Sequence, residues 1–280
     1  MPITALIPVY NEEKRIEQCI QSFLWCDEIL VIDKNSNDNT REILKKYRVK
    51  IINHHNSDYF ETSEVDIFLA NCTTDWVIAV TASDIIHPQL VEEIQKLIKD
   101  NDFQYDAINI PYRRYVLGLN DKRSPWYSGY HTSVFKKSIL RINHSSVHES
   151  VSLKGDKIYN LRMSDDSAMY HLTHETVDQM MDRHLRYWRG EARVFPIDRS
   201  MFKAFKPIMR STFDLVFLRK TWRMGWDGIA LMMAFMSYLF LRFVYIWERR
   251  SSNAPKEYLR IRDSISKAWD ETKGEVIVNK

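Results

Sequence analysis

The sequence predicts an α/β protein: a mostly parallel sheet flanked by helices, followed by a C-terminal helical appendage. Three observations carry this. Short apolar runs alternate with segments of helical spacing through the first 112 residues, the pattern of βαβ units. Two of those runs lead into carboxylates, Asp33 and Asp84, so parallel strands would bring acids to one edge of the sheet. Beyond residue 176 the β-type runs give way to long basic and apolar stretches of helical spacing.

Residues 3–9 are apolar with β-branched members and read as a buried first strand, and Pro8 to Glu13 as the turn after it. Ile16, Cys19, Ile20 and Phe23 recur on one helical face. A second strand over 28–33 ends in Asp33, and residues 34–39 are pure turn chemistry. A helix over 40–47, a short strand over 49–53 and a helix over 64–73 lead to the apolar run 77–80, a strand buried on both faces. It closes in Thr81-Ala82-Ser83-Asp84. Asp84 fits two roles there: a metal ligand in the crevice outside the strand ends, or the N-cap of the helix that begins near Pro88. Residues 88–99 read as that helix and 107–112 as a further strand.

Composition removes several functions. Hydrophobic content of 45% in 280 residues is ample for a core. A net charge of +3 gives no reason to expect a nucleic-acid partner. Cys19, Cys26 and Cys72 lack metal-type spacing and predict reduced thiols in a cytosolic setting. Met1-Pro2-Ile3-Thr4 has no basic start or signal-type cleavage pattern, so no export is expected. The first of seven glycines is Gly118, which excludes a Walker loop or a dinucleotide fingerprint in the α/β region. A nucleotide bound here would need another way to neutralise its phosphates, and a metal held by carboxylates is one.

Residues 113–160 are less regular. Arg113-Arg114 and Lys122-Arg123 flank Trp126, Tyr127, Tyr130 and His131, a set that suits sugar rings and phosphates, or a loop whose aromatics pack on the sheet. His148 and Glu149 lie in one β-type segment, His171 and His174 in another. Each segment sets histidine beside apolar, β-type residues.

The last third divides again. Residues 176–194 read as a charged helix with Met180, Met181, Leu185 and Trp188 as its apolar stripe. From Arg199 to Arg223 seven Lys/Arg stand against one Asp, Asp214, with Phe202, Phe205, Phe213 and Phe217 interleaved, as in a helix lying in a membrane interface. Residues 228–247 are mostly apolar, broken by Ser237 and Arg242. Their length fits a transmembrane helix with Arg242 snorkelling. Basic flanks at both ends give no orientation signal. A catalytic domain on the cytosolic side needs no second face, which favours a helix in or on the inner leaflet. Burial against the domain or in a dimeric homo-oligomer is the third option, disfavoured by the Arg-rich flanks. Residues 255–280 read as a charged amphipathic helix. The domain expectation is therefore 1–175 catalytic α/β, 176–250 helical and membrane-associating, and 251–280 a charged helical tail.

These residues carry a family resemblance. Ala5-Leu6-Ile7-Pro8-Val9-Tyr10-Asn11-Glu12-Glu13 resembles the opening of family 2 glycosyltransferases. Ile29-Leu30-Val31-Ile32-Asp33 followed by Asn35-Ser36-Asn37-Asp38-Asn39-Thr40 resembles their second motif, a strand ending in Asp before a Ser-x-Asp-x-Thr turn. Asp75-Trp76-Val77-Ile78 with Thr81-Ala82-Ser83-Asp84 is placed like their metal-binding motif, and Val147-His148-Glu149 resembles their later acidic motif. Gly225-Trp226-Asp227-Gly228, residues 238–245 and Trp247-Glu248 resemble the tail of lipopolysaccharide-core glucosyltransferases within that family. There are two departures. The family commonly has Asp-x-Asp where this chain keeps only Asp84, and Val65-Asp66 stands where many relatives have a basic residue followed by Asn.

The resemblance implies a GT-A-like fold and inverting transfer from a nucleoside-diphosphate sugar, with Mg²⁺ or Mn²⁺. It implies that Pro8, Tyr10, Glu12, Asp33 and Ser83 bind the nucleotide. Asp84 and His171 would hold the metal, and Glu149 would be the catalytic base. Trp126, Tyr127 and His148 are acceptor-side candidates. The implied acceptor is a lipid-linked saccharide, lipopolysaccharide or surface polysaccharide, reached from the cytoplasmic side of the inner membrane by a peripheral or monotopic protein. The alternatives are a weak or inactive nucleotide-sugar-binding protein, or a membrane-attached scaffold, of the same fold.

Overall fold

The structure is a computed structural model that describes residues 1–55, 62–141, 152–153, 157–164, 166–196 and 198–278. The N-terminal half alternates β1 (Ile3–Val9), α1 (Ile16–Phe23), β2 (Glu28–Asp33), α2 (Thr40–Leu44), β3 (Lys50–Asn53), α3 (Thr62–Asn71), β4 (Trp76–Ala79), β5 (Asp84–Ile86) and α4 (Pro88–Lys99). Then come β6 (Ala107–Val116), β7 (Tyr130–Lys136), β8 (Leu140–Arg141), β9 (Ser152–Leu153), β10 (Ile158–Asn160) and β11 (Met169–Thr173).

The main sheet runs β3-β2-β1-β4-β7-β6-β11-β5, with β10 beside β6, while β8 and β9 pair separately. β1 to β4 are mutually parallel, as their alternation with helices requires. β7 then enters antiparallel between β4 and β6, so the sheet is mixed beyond β4. Both faces of the parallel half are covered. Ile3, Ala5, Ile7, Val31 and Ile78 pack with Ile16, Ile20, Phe23, Leu90 and Ile94 of α1 and α4. Leu6, Leu30, Ile32 and Val77 face the other way, onto Val65 and Phe68 of α3. Period-2 alternation with apolar residues at every position is what burial on both faces demands.

One sequence expectation is corrected here. The strand after Trp76 stops at Ala79, and Asp84 does not cap the following helix. His87 is that N-cap, its ring accepting from the Gln89 N–H at 3.3 Å. Asp84 instead opens β5, which pairs with β11 at the far side of the sheet.

The C-terminal third is helical: α5 (Val177–Val194), α6 (Met201–Phe213), a π turn Asp214–Leu218, a 3₁₀ turn Thr221–Met224, α7 (Gly225–Ser251) and α8 (Ala254–Val278). The buried stripe of α5 is Met180, His184, Trp188, Glu191 and Ala192. Met181, expected in the stripe, is exposed. Arg242, expected to snorkel, turns inward: its Nε donates to Glu191, which also accepts from the Tyr238 hydroxyl. Trp188 Nε1 donates to the Tyr238 carbonyl at 2.9 Å. One side of α7 is thus fastened to α5, while Trp226, Met233, Phe240, Val244 and Trp247 are exposed. The stretch Thr221–Ser251 is long and apolar enough to cross a membrane by length and composition.

Candidate active site

Two loops meet above the ends of β1 and β2. Asn11 N–H donates to Ser36 Oγ (3.0 Å), Glu12 N–H to Thr40 Oγ1 (2.8 Å) and Glu13 N–H to Asp38 Oδ2 (3.1 Å). In return Asn37 N–H donates to Asn11 Oδ1 (2.9 Å), and Asn39 N–H to Glu13 Oε2 (3.0 Å). Asn11 and Asn35 take the left-handed conformation, at φ 55° and 59°, which asparagine tolerates better than most residues. Burial would raise the Asp38 carboxyl, but bonds from Thr40 and the Glu13 N–H outweigh it and hold it below the usual range. The polar residues of both loops therefore satisfy each other's backbone and fix the turn geometry.

Asp33 sits under this clamp, fully buried. Its carboxylate accepts from Arg41 Nε and from the Ser36 N–H (3.0 Å). Arg41 continues to Asn53 Oδ1 at 3.0 Å, tying β2, α2 and β3 together.

Asp84 is placed by strand register. In the β5–β11 ladder Asp84 stands opposite His171, and in the parallel β6–β11 ladder His171 stands opposite Arg114. Asp84 Oδ1 meets His171 Nδ1 at 2.8 Å and accepts from the Tyr112 hydroxyl at 3.2 Å. Oδ2 accepts from the Thr81 N–H (2.6 Å) and hydroxyl (3.0 Å). The Tyr112 ring stacks near His171 (5.6 Å) and tilts against His131 (5.1 Å), and the Arg114 guanidinium lies 5.7 Å from its centre. Burial, then the charge of Asp84, pushes the Tyr112 hydroxyl far above its ordinary pKa, so it stays a donor. Burial, then Arg114, pushes the His131 imidazole down, toward the neutral form. The same ordering raises the Cys19 thiol through burial, then Asp84 and Glu12; its Sγ donates to the Thr81 carbonyl at 3.4 Å.

This cluster opens on a cavity of about 780 Å³ whose lining includes Pro8, Thr81, Asp84, Tyr112, Arg114 and His171. That is the size of a ligand site. Arg114 Nε is buried there without a hydrogen-bond partner among the described residues. A second cavity of about 410 Å³ lies beyond the end of β1, lined by Tyr10, Glu12, Lys14, Arg15, Arg183 and Arg186 among others. Glu12 pairs with Arg15 and, at 3.7 Å, with Arg183 of α5; Arg186 lies 5.7 Å from the Tyr10 ring centre.

The expected site residues are thus sorted. Pro8, Asp84 and His171 share the larger cavity, and Tyr10 and Glu12 line the smaller one. Asp33 and Ser83 are buried and line neither; the Ser83 carbonyl accepts from the Leu172 N–H at 2.8 Å. Trp126 packs edge-on against Phe235 of α7 at 5.3 Å, and Tyr127 lines a separate opening of about 380 Å³ with Arg113, Lys122 and Arg123. Glu149 and His148 lie outside the described residues. Tyr112 was not singled out by the sequence, and His131 appeared there only among aromatics suited to sugars or packing; their place beside Asp84 follows once β11 is known to lie beside β6.

A metal would find one carboxylate and one imidazole here. Among the described residues no group of three or more His, Cys, Asp or Glu converges. Both Asp84 oxygens are hydrogen-bonded, and Oδ1 lies 2.8 Å from His171 Nδ1. Mg²⁺ and Mn²⁺ keep waters and complete their shells with phosphate oxygens, so a sparse protein set of this kind fits them.

Comparison with known proteins gives the same outline. The model of the family described as "Glycosyl transferase family 2" matches residues 4–151. An uncharacterized glycosyltransferase of Rickettsia bellii is 25% identical over 96% of this chain and 96% of its own length. The lipopolysaccharide core biosynthesis glycosyltransferase LpsC of Rhizobium meliloti is 22% identical over 91% of this chain and 95% of its own. Among solved structures, S. aureus TarS 1–349 in complex with UDP-GlcNAc superposes with a TM-score of 0.50 at 17% identity, covering 89% of this chain and 92% of that one.

Proposed function

The chain belongs to glycosyl transferase family 2, and on that premise we propose that it moves a sugar, with inversion, from a UDP-sugar to a hydroxyl of a lipopolysaccharide or other lipid-linked saccharide acceptor. The observation that carries this is the Asp84–His171–Tyr112 cluster lining the larger cavity. LpsC, similar along nearly its whole length, supports the acceptor class, and UDP-GlcNAc in the TarS complex supports the donor class.

Inverting transfer is an in-line displacement that needs a base on the acceptor and charge neutralisation on the departing diphosphate. Asp84 and His171 would hold Mg²⁺ or Mn²⁺, which as a Lewis acid would stabilise that diphosphate. Arg114, whose buried Nε has no hydrogen-bond partner among the described residues, would bind phosphate oxygens beside it. Pro8, Tyr10 and Glu12, which line the two cavities, would contact the nucleotide, with buried Asp33 and Ser83 acting from behind by fixing the backbone beside them. Glu149 would deprotonate the acceptor hydroxyl, with His148, Trp126 and Tyr127 on the acceptor side. The exposed apolar face of α7 suits attachment to the cytoplasmic face of the inner membrane, where such acceptors are available.

The test is UDP release from a panel of UDP-sugars with Mn²⁺. Asp84→Ala abolishes release and also lowers the melting temperature, because four hydrogen bonds end on this buried carboxylate, whereas Asp84→Asn keeps the side chain's shape and abolishes release at a smaller cost in stability. Glu149→Gln lowers release far more than donor binding. Wild-type release by Asp84→Ala removes the assignment. A donor-binding protein without turnover is the second reading, favoured by the four hydrogen bonds already on Asp84; binding without release in wild type would establish it.

A further inference from the structure

We propose that the connector between α6 and α7 is a docking tip for an anionic lipid bilayer, a surface that deepens the membrane placement above and rests on it. The chain reverses there through the π turn Asp214–Leu218 and the 3₁₀ turn Thr221–Met224, with Lys220 at φ 53° and Gly225 at φ 67°. The reversal turns large apolar side chains outward: Phe217 is 60% exposed, Leu218 66%, Trp222 49% and Trp226 84%. A monomer in water gains nothing from holding such groups at its surface.

The tip is nevertheless built. Trp222 Nε1 donates to the Val216 carbonyl at 3.1 Å, and the Arg223 guanidinium lies 5.4 Å from its ring centre. Thr221 Oγ1 donates to the Arg123 carbonyl (2.7 Å), and Arg219 Nη1 to the Ser124 carbonyl (2.9 Å), so the connector is fastened to the loop between β6 and β7. A Cβ on Gly228 would fall 2.0 Å from the Thr221 carbonyl oxygen, so that close approach needs glycine. An indole pinned at the surface with its polar edge satisfied is suited to the boundary between headgroups and acyl chains.

Charge decides the occupant. Lys220 and Arg223 are exposed within the tip, and exposed Lys122 belongs to the loop that anchors it. Continuing along α6, Lys203, Lys206 and Arg210 are exposed next to exposed Phe202, Met209 and Phe213. Of the acids in the connector, Asp214 is paired with Arg219 at 2.8 Å and Asp227 alone is left at the start of α7. Apolar wedges ringed by cations match a layer of anionic headgroups over hydrocarbon. A second copy of this chain would present the same cations to these.

The test is co-sedimentation of the full chain with phosphatidylcholine vesicles, with and without phosphatidylglycerol. The wild type sediments with the anionic vesicles and is released by salt. Lys220→Glu with Arg223→Glu weakens partitioning by roughly 30-fold or more, from two surface charges at the usual strength each. Phe217→Ser with Trp226→Ser also weakens it, and both variants keep wild-type melting temperatures and UDP release from a soluble donor. Undiminished sedimentation of both variants overturns the tip while leaving the membrane placement standing, and equal binding to neutral vesicles overturns the lipid class. Binding to no vesicle overturns tip and placement together. Light scattering that shows a wild-type dimer split by Trp226→Ser assigns the surface to a second copy and overturns the proposal.

Discussion

The sheet edge and the α5–α7 contact both bury charged groups, and they do so by different means. At the edge, Asp84 is held by neighbours whose positions follow from ladder register: Thr81 three residues before it, His171 opposite it on β11, Tyr112 on the next strand. Asp33 is held likewise by Arg41 and the Ser36 N–H within its own turn. In the helical region, Glu191 depends on two side chains from another helix, Tyr238 and Arg242, 47 and 51 residues away. Asp84 and Asp33 each keep a backbone N–H donor and a local turn when one side-chain partner is trimmed, whereas trimming either Tyr238 or Arg242 removes a long-range support of buried Glu191.

The largest effect should come from breaking the helical contact. Glu191→Ala leaves Arg242, with a side chain only 20% exposed, without its counter-charge, and should cost about 3–5 kcal/mol. A melting temperature lower by about 10 °C is expected in thermal denaturation, with Glu191→Gln between it and wild type. A smaller effect comes from pH. Burial, then Arg183, lowers the His174 imidazole to about 3, and burial, then Arg183, lowers His184 to about 4. Both bind protons less readily folded than unfolded, so their contribution is complete above about pH 6.5 and is lost as pH falls toward 4. The melting temperature should drop across that window, and His184→Gln should flatten the drop.

At the sheet edge the losses shrink. Tyr112→Phe removes one of four hydrogen bonds on Asp84 and should cost about 1 kcal/mol of stability, with UDP release lowered by about tenfold. Glu13→Ala removes the acceptor for the Asn39 N–H and amide, at most about 1 kcal/mol, because the loop clamp retains its other bonds. If Glu13→Ala destabilised the protein as much as Glu191→Ala, the contrast between the two regions would collapse.

The same contrast explains what could be read from the chain. The apolar strands, and the carboxylate Asp33 at the end of one of them, were legible, because buried parallel strands and turn residues have local signatures; Asp84 was read as following its strand and instead opens the next one. Spacing and periodicity did not show the Asp84–His171–Tyr112 association, since it requires β11 to enter between β6 and β5, a pairing across 87 residues; the family resemblance alone implied Asp84 with His171, and it left out Tyr112. The α5 stripe was misjudged because periodicity counts apolar residues: His184 and Glu191 are buried through partners on α7, and Met181 is exposed. Arg242 was assigned to snorkelling for the same reason, its carboxylate partner lying on another helix.

The central claim is that Asp84 and His171 form the metal-bearing end of a nucleotide-diphosphate site. Calorimetric titration of UDP into the wild type and Asp84→Asn, each with and without Mn²⁺, tests it most directly. Mn²⁺ should tighten UDP binding to the wild type by at least tenfold and leave the variant's affinity unchanged; equal tightening in both proteins would contradict the assignment.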